Sequence, residues 1–160
     1  KIQNLILEVD SIDNIKEFKK IEAKMKELET ESNKALENAE SDKYRVFDLG
    51  SGFILYVGKN AANNDELTMK FAKANDLWMH ARGSAGSHAV IRLKKEENPP
   101  KEIIKKAAGI VAYYSQARNA KYVPVCYTFK KYVRKPKGAN PGSVVLQKET
   151  VIMAEPKLPE

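Results

Sequence analysis

Apolar residues recur in steps of three and four at Ile12, Ile15, Phe18, Ile21, Met25 and Leu28, the spacing that places them in one stripe along a helix. The surrounding sequence, Lys1 to about Ala39, is rich in Lys, Glu and Leu and holds no Pro or Gly. Ser11 is a candidate N-cap, which predicts a short helix ending near Val9 and a longer one after it. The stripe is narrow and charged on both flanks, the pattern of a helix that packs against another helix, as in a coiled-coil arm. That partner helix need not belong to this chain.

At Ser41 the period changes from helical to alternating. Tyr44 to Leu49 and Phe53 to Val57 flank Gly50, Ser51 and Gly52 and read as two strands joined by a tight turn. In the following stretch Asn63 or Asn64 is expected to cap a helix with Leu67, Phe71 and Ala74 facing inward. Leu77 to Arg82 and His88 to Leu93 read as an antiparallel strand pair around the loop Gly83 to Ser87. Pro99 and Pro100 then introduce a helix with Ile103, Ala107, Ile110, Val111 and Tyr114 on its buried side and Tyr113 pointing away from it. Next, Val123, Val125, Tyr127 and Phe129 alternate with Cys126, Thr128, Lys130, Tyr132 and Arg134, which predicts a strand with one core face and one basic, aromatic face. A Pro/Gly loop, KPKGANPGS, leads into Val144 to Gln147 and Val151 to Met153, read as a closing hairpin. These elements predict an α+β domain: a single mostly antiparallel sheet with two packed helices, preceded by a helical coiled-coil stump. The boundary falls between a helical arm, residues 1–43, and a domain, residues 44–160.

The stretch DLWMHARGSAGSHAVIR, Asp76 to Arg92, contains both histidines of the chain and its only tryptophan. Alternation places Trp78, His80, Arg82, His88, Val90 and Arg92 on one face of the expected strand pair, with Arg82 opposite His88 and Trp78 opposite Arg92 in the simplest register. Two guanidinium groups, two imidazoles and an indole on one side of a sheet suit stacking on bases and pairing with phosphates. Other chemistries fit the spacing poorly. Zinc needs three or four converging ligands, which His80, His88, Cys126 and Asp76 would supply only by a convergence that their spacing does not suggest. Ser87 and His88 are neighbours on a strand and point to opposite faces, so they do not form a nucleophile and base pair. Asp76 is the only acid in the motif, which leaves no carboxylate pair for acid/base work. The phosphate-loop pattern ending in Gly-Lys-Ser is absent, and no cofactor is expected.

Charge sharpens this picture. The overall charge is +7, yet residues 1–43 carry 8 Lys and Arg against 11 Asp and Glu, a net −3. The remaining 20 basic and 10 acidic residues give +10, and no carboxylate occurs between Glu102 and Glu149. Lys130, Tyr132 and Arg134, followed by Lys135 and Lys137 in the loop, lie inside that acid-free run and predict a polyanion partner. The single Cys126 rules out an internal disulfide and agrees with a reducing compartment. The chain begins with Lys1, and no apolar run reaches the length of a signal or membrane segment, so a cytoplasmic chain, or an excised piece of one, is expected.

Four pieces in order, YVGKNAANNDELTMKFAKANDLWMHARGSAGSHAVIR, AAGIVAYYSQARNAKYVPVCYT, KKYVRKPKGANPGSVVL and ETVIMAEP, closely resemble the NFACT RNA-binding domain, found in the RqcH, fibronectin-binding protein A-like and NEMF family. The likeness spans about Tyr44 to Pro156, and the acidic helical arm is similar to the end of the coiled-coil region that precedes this domain. Ala85 stands where bacterial relatives often have Pro, which puts the rigidity of the loop in question, and Arg82 stands where Lys is common, which keeps the charge. The resemblance implies a non-catalytic part of a ribosome-associated quality-control factor. Its implied partners are tRNA and the large ribosomal subunit, with no membrane and no small-molecule substrate, and the full-length protein would support alanine tailing of stalled chains. The expected RNA-binding residues, Trp78, His80, Arg82, His88, Arg92, Lys130, Tyr132, Arg134, Lys135 and Lys137, rest on the strand-face and charge patterns, not on the resemblance. A fibronectin-type protein-interaction module and a histidine-based metal enzyme are the competing readings.

Overall fold

The computed structural model describes residues 2–159, and the side chains of 14–32, 34 and 42–159. Backbone contacts divide the chain into two units, Lys1–Glu40 and Ser41–Glu160. The first is helix α1, Ile2–Ser41, which runs without a break through Ser11, where the sequence suggested two helices. A strong run of Lys, Glu and Leu outweighs one candidate cap. The side chains of Ser11 and Ile12 lie outside the described residues, while Ile15, Phe18, Ile21, Met25 and Leu28 are all exposed. No described helix is long and apolar enough to cross a membrane.

The second unit is an α+β structure. Strands β1 (Arg45–Gly50), β2 (Phe53–Val57), β3 (Leu77–Ala81), β4 (Ala89–Ile91), β5 (Val123–Phe129) and β8 (Thr150–Ala154) form one antiparallel sheet in the order β1-β2-β4-β3-β5-β8. Strands β6 (Val133–Arg134) and β7 (Val145–Leu146) pair separately. The expected closing hairpin is therefore corrected: β7 returns to β6, and β8 pairs with β5. The Pro/Gly loop bends the chain back before the ladder can continue, and the last strand then closes the sheet edge.

Helix α3, Lys101–Tyr113, covers one sheet face. Ile103, Ala107, Ile110 and Val111 pack there against Leu55, Leu77, Met79, Ile91, Val123 and Val125. The other face is covered too. Helix α2, Ala61–Glu66, is capped by the Asn60 side chain and not by Asn63 or Asn64, and it continues into a π-turn, Leu67–Phe71. The wider turn closes on a bond from Ala72 N–H to the Leu67 carbonyl, which adds a residue and shifts the inward phase. Ala72 is consequently buried and Ala74 exposed, opposite to the expectation for Ala74. Leu67, Phe71, Trp78, Val90, Cys126 and Val133 form this second core.

One buried carboxylate ties the layers together. Asp76 is fully buried. Its Oδ2 accepts from Lys73 N–H at 2.8 Å and Arg92 Nε at 3.3 Å, and its Oδ1 from Leu93 N–H at 3.0 Å. Its backbone carbonyl takes Lys130 N–H at 2.8 Å where β5 ends. Arg92 in turn donates to the Phe71 carbonyl at 2.7 Å and lies 4.1 Å from the centre of the Phe71 ring. Removing one member of a buried charged pair leaves the other uncompensated. Asp76→Ala is expected to lower unfolding free energy by about 3–5 kcal/mol in urea titration, and Asp76→Asn by less, since the amide oxygen still accepts one backbone bond.

Candidate functional site

Antiparallel pairing sets Trp78 against Val90 and Thr128, and His80 against Cys126. The β3–β4 register is thus displaced by two residues from the simplest one. Continued beyond the Met79–Ala89 pair, it sets His80 opposite His88 and Asp76 opposite Arg92. A shift of two keeps every side chain on its face, so Trp78, His80, His88 and Arg92 do share one side of the sheet.

That side is not open to solvent as expected. Trp78 is 1% exposed and His88 2%, because α2 and its π-turn lie over them. Period two shows which residues share a face, whereas a sheet covered on both faces hides which one is wet. The Trp78 Nε1–H donates to Thr68 Oγ1 at 2.9 Å, and that hydroxyl lies 2.7 Å from His88 Nδ1. Indole can only donate, so the hydroxyl accepts from Trp78 and gives its one proton to Nδ1, which leaves the neutral ring protonated at Nε2. The His88 N–H donates to Asn64 Oδ1 at 3.2 Å. Gly58 permits this approach, since a Cβ there would sit 1.9 Å from Asn64 Oδ1.

Burial, with the neighbouring His80, pushes the His88 pKa down to about 4, against partial support from the Gly142 backbone and Asp65. The half-buried His80 is also lowered by burial, partly offset by the Gly86 backbone. The two rings meet edge to face at 5.2 Å between centres. Cys126 beside them is buried; its thiol donates to the His80 carbonyl at 3.2 Å, and burial and Glu149 raise its pKa to about 11. No group of three or more His, Cys, Asp and Glu side chains among the described residues could hold a metal ion.

Above the histidines opens a groove of about 670 Å³. Its walls come from the turn before α2 (Lys59, Asn60), the β3–β4 loop (Ala85 to His88), the end of α3 (Tyr113 to Arg118) and the Pro/Gly loop (Pro141 to Ser143). The loops are tied in place. Ser87 N–H bonds the Tyr114 carbonyl and Gln116 N–H the Ala85 carbonyl. Asp65 accepts from Lys135 Nζ and, at 3.1 Å, from Gly142 N–H. At one wall the Arg118 guanidinium lies 5.7 Å from the centre of the Tyr113 ring.

The remaining expected residues disperse. Arg92 is held by Asp76 and Phe71 inside the fold, and its expected place on an open RNA-facing surface is corrected accordingly. Arg82 is exposed but lies past the end of β3, 3.4 Å from Glu149. The expected strand face of Lys130, Tyr132 and Arg134 does not form, because Asp76 and Ala74 carbonyls capture the Lys130 and Lys131 amides and turn the chain into a 3₁₀ segment, Lys130–Tyr132. Tyr132 instead lies between Lys148 and Lys131, 4.9 and 5.2 Å from its ring centre. Lys131 is engaged with Glu96 at 2.6 Å and Lys135 with Asp65. Among the described residues, Lys130, Arg134, Lys137 and Lys148 have no carboxylate partner. Lys148 and Arg118 belong to the acid-free run; nothing in the sequence marked Lys59 or Thr68 as contributors.

Residues 43–148 match the profile of the family described as NFACT protein RNA binding domain. The chain is 38% identical over 111 residues to "Rqc2 homolog RqcH" of Bacillus subtilis, covering 69% of this chain and 19% of that protein. It is 40% identical over 103 residues to the protein of the same name from Streptococcus suis, covering 64% of this chain and 18% of the relative. The chain therefore spans about one fifth of the length of these relatives. Among solved structures, the C-terminal part of the fibronectin/fibrinogen-binding protein from Streptococcus suis superposes with a TM-score of 0.66 at 36% identity, over 72% of this chain and 45% of that one.

The folded His88 binds a proton less readily than its unfolded counterpart, whose ordinary value is 6.5. Between pH 6.5 and about 4 the unfolded chain therefore holds more protons, and stability rises with pH across that window. The gap corresponds to about 3 kcal/mol when fully expressed. Urea midpoints should be flat just above neutrality, below the ordinary thiol value of 9.0 at which Cys126 of the unfolded chain ionises, and fall as pH drops from 6.5 toward 4. His88→Gln should lower stability at pH 7 and flatten that fall, with His80 supplying the remaining slope.

Proposed function

Because the chain belongs to the NFACT protein RNA binding domain family, we propose that it is a non-catalytic RNA-binding module of a ribosome-associated quality-control factor. In this reading the module works in the cytoplasm, holds tRNA, ribosomal RNA of an obstructed large subunit, or both, and supports alanine tailing of stalled chains in the full-length protein. The observation that carries the reading, beside the family, is the division of labour among cations. Between Glu102 and Glu149 there are ten Lys and Arg and no carboxylate, and Lys130, Arg134, Lys137 and Lys148 are left without acidic partners among the described residues. Such groups neutralise backbone phosphates and release counterions, which supplies affinity with little sequence preference.

The chemistry around the histidines favours binding over catalysis. His88 is neutral, buried and occupied by Thr68, Cys126 is far from its thiolate range, and Ser87 adjoins His88 in sequence and not in hydrogen-bonding geometry. Tyr132 between two lysines supplies a flat ring in a cationic setting, suited to a base stacked beside its phosphate. The solved relative named for fibronectin and fibrinogen binding supports one other reading, a protein-interaction surface.

Fluorescence anisotropy with a labelled tRNA across a salt series separates the two. RNA affinity is expected to fall steeply with salt, and Arg134→Ala/Lys137→Ala to weaken binding and reduce the slope of log K against log salt by roughly 2. A wild-type affinity independent of salt, or an unchanged double variant, would overturn the phosphate reading. Fibronectin binding that persists at high salt without RNA binding would replace it with the protein-interaction reading.

A further inference from the structure

We propose that the groove above His80 and His88 receives a single unstacked nucleotide of single-stranded RNA, with its base against Tyr113 and its flanking phosphates on Lys59 and Arg118. This rests on the reading of the chain as an RNA-binding module and deepens it by naming the kind of RNA it prefers.

The groove, about 670 Å³, has the size of a small-ligand site, and its lining combines three chemistries that a nucleotide needs together. The first is a flat ring. Tyr113 is half-buried, lies outside both apolar cores and lines the groove with Arg118 beside its face. Stacking on an aromatic face, reinforced by a guanidinium, holds any of the four bases. The second is positive charge from two separate elements. Neither Lys59, in the turn before α2, nor Arg118, after α3, has a carboxylate partner among the described residues. The third is a set of uncharged hydrogen-bonding groups that can meet a base edge. The exposed Gln116 side chain has no hydrogen-bond partner among the described residues, and His80, held near Gly86 through the backbone, stays neutral at physiological pH because burial lowers its pKa.

The site is also prearranged. The loop carrying Gly86 bridges to Ser115, and a Cβ at Gly86 would lie 3.0 Å from Ser115 Cβ, so the β3–β4 loop packs closely against the end of α3 and a larger residue there would have to push it away by a few tenths of an ångström. The far wall is fastened by Asp65 through Gly142 and Lys135. A wall that does not need ordering on binding loses less conformational entropy. Within a regular duplex, bases are stacked and paired and cannot enter such a groove without being unstacked, whereas single-stranded ends and loops offer them freely.

The experiment compares a blunt 12-base-pair RNA duplex with the same duplex carrying a four-nucleotide 3′ single strand, by anisotropy on the full chain at fixed salt. The overhang is expected to bind roughly tenfold more tightly. Tyr113→Ala should remove most of that preference and leave blunt-duplex affinity within about twofold, while Tyr113→Phe, which keeps the ring, should retain it. Thermal melting of both variants establishes that they fold, and a failure of Tyr113→Ala to fold leaves the Tyr113→Phe and blunt-duplex comparisons to decide. Equal affinity for the two RNAs, or an equal loss for both in Tyr113→Ala, would overturn the nucleotide pocket while leaving RNA binding intact. Absence of binding to either RNA would overturn both this pocket and the function it rests on.

Discussion

The hydroxyl of Thr68 sits between an indole that can only donate and an imidazole nitrogen that must accept, and it satisfies both. The sheet is covered on each face, so any polar ring directed toward α2 is removed from water and needs an internal partner. Thr68 lies in the π-turn, and the wider turn is what presents its side chain to Trp78 and His88 simultaneously. From that arrangement follow the neutral state of His88, the position of His80 at the groove floor and the closure of α2 over the strands. Asp76 completes the same layer from the other end by fastening Arg92, β5 and the end of the π-turn.

The distinction between engaged and free cations organises the functional reading. Arg92, Lys131 and Lys135 are engaged with Asp76, Glu96 and Asp65. In sequence they are indistinguishable from Arg134, Lys137 and Lys148, which have no carboxylate partner among the described residues. Lys135, through Asp65, helps fasten one wall of the groove, Arg92 and Lys131 fasten the fold elsewhere, and in the proposed reading the cations without a carboxylate partner supply a field for phosphates. The paired histidines, which read as the chemical centre of the chain, act instead as a rigid floor.

How much of this was legible in the sequence varied by element for physical reasons. Strand β2 stood out as a short apolar run bordered by Gly52 and Gly58, and helix α3 for its steps of three and four after Pro99 and Pro100. The core face of β5, Val123 to Phe129 in steps of two, was equally clear and packs as expected. Its opposite face was not, since alternation does not reveal a second covering layer, and the strand stops at Phe129 through backbone bonds to Ala74 and Asp76 that no side-chain pattern announces. Trp78, His80, His88 and Arg92 were correctly grouped on one side, because an error of two residues in register preserves the face. Their burial depended on the π-turn, whose extra residue leaves no signature in a 3.6 period. The meeting of Lys59 with Tyr113 and Arg118 in one groove was hidden because the turn before α2 and the end of α3, far apart in sequence, converge there.

The chain has one thiol, that of Cys126, and it lies inside the sheet with its proton on the His80 carbonyl, far from its reactive form at neutral pH. Nature has in effect left the surface blank to maleimides and other thiol-directed dyes. A cysteine placed at an exposed position such as Lys137 or Gln116 would be the only addressable handle on the molecule, so spin labels, fluorophores or cross-linkers could report on the flap and the groove without first editing the native residue out.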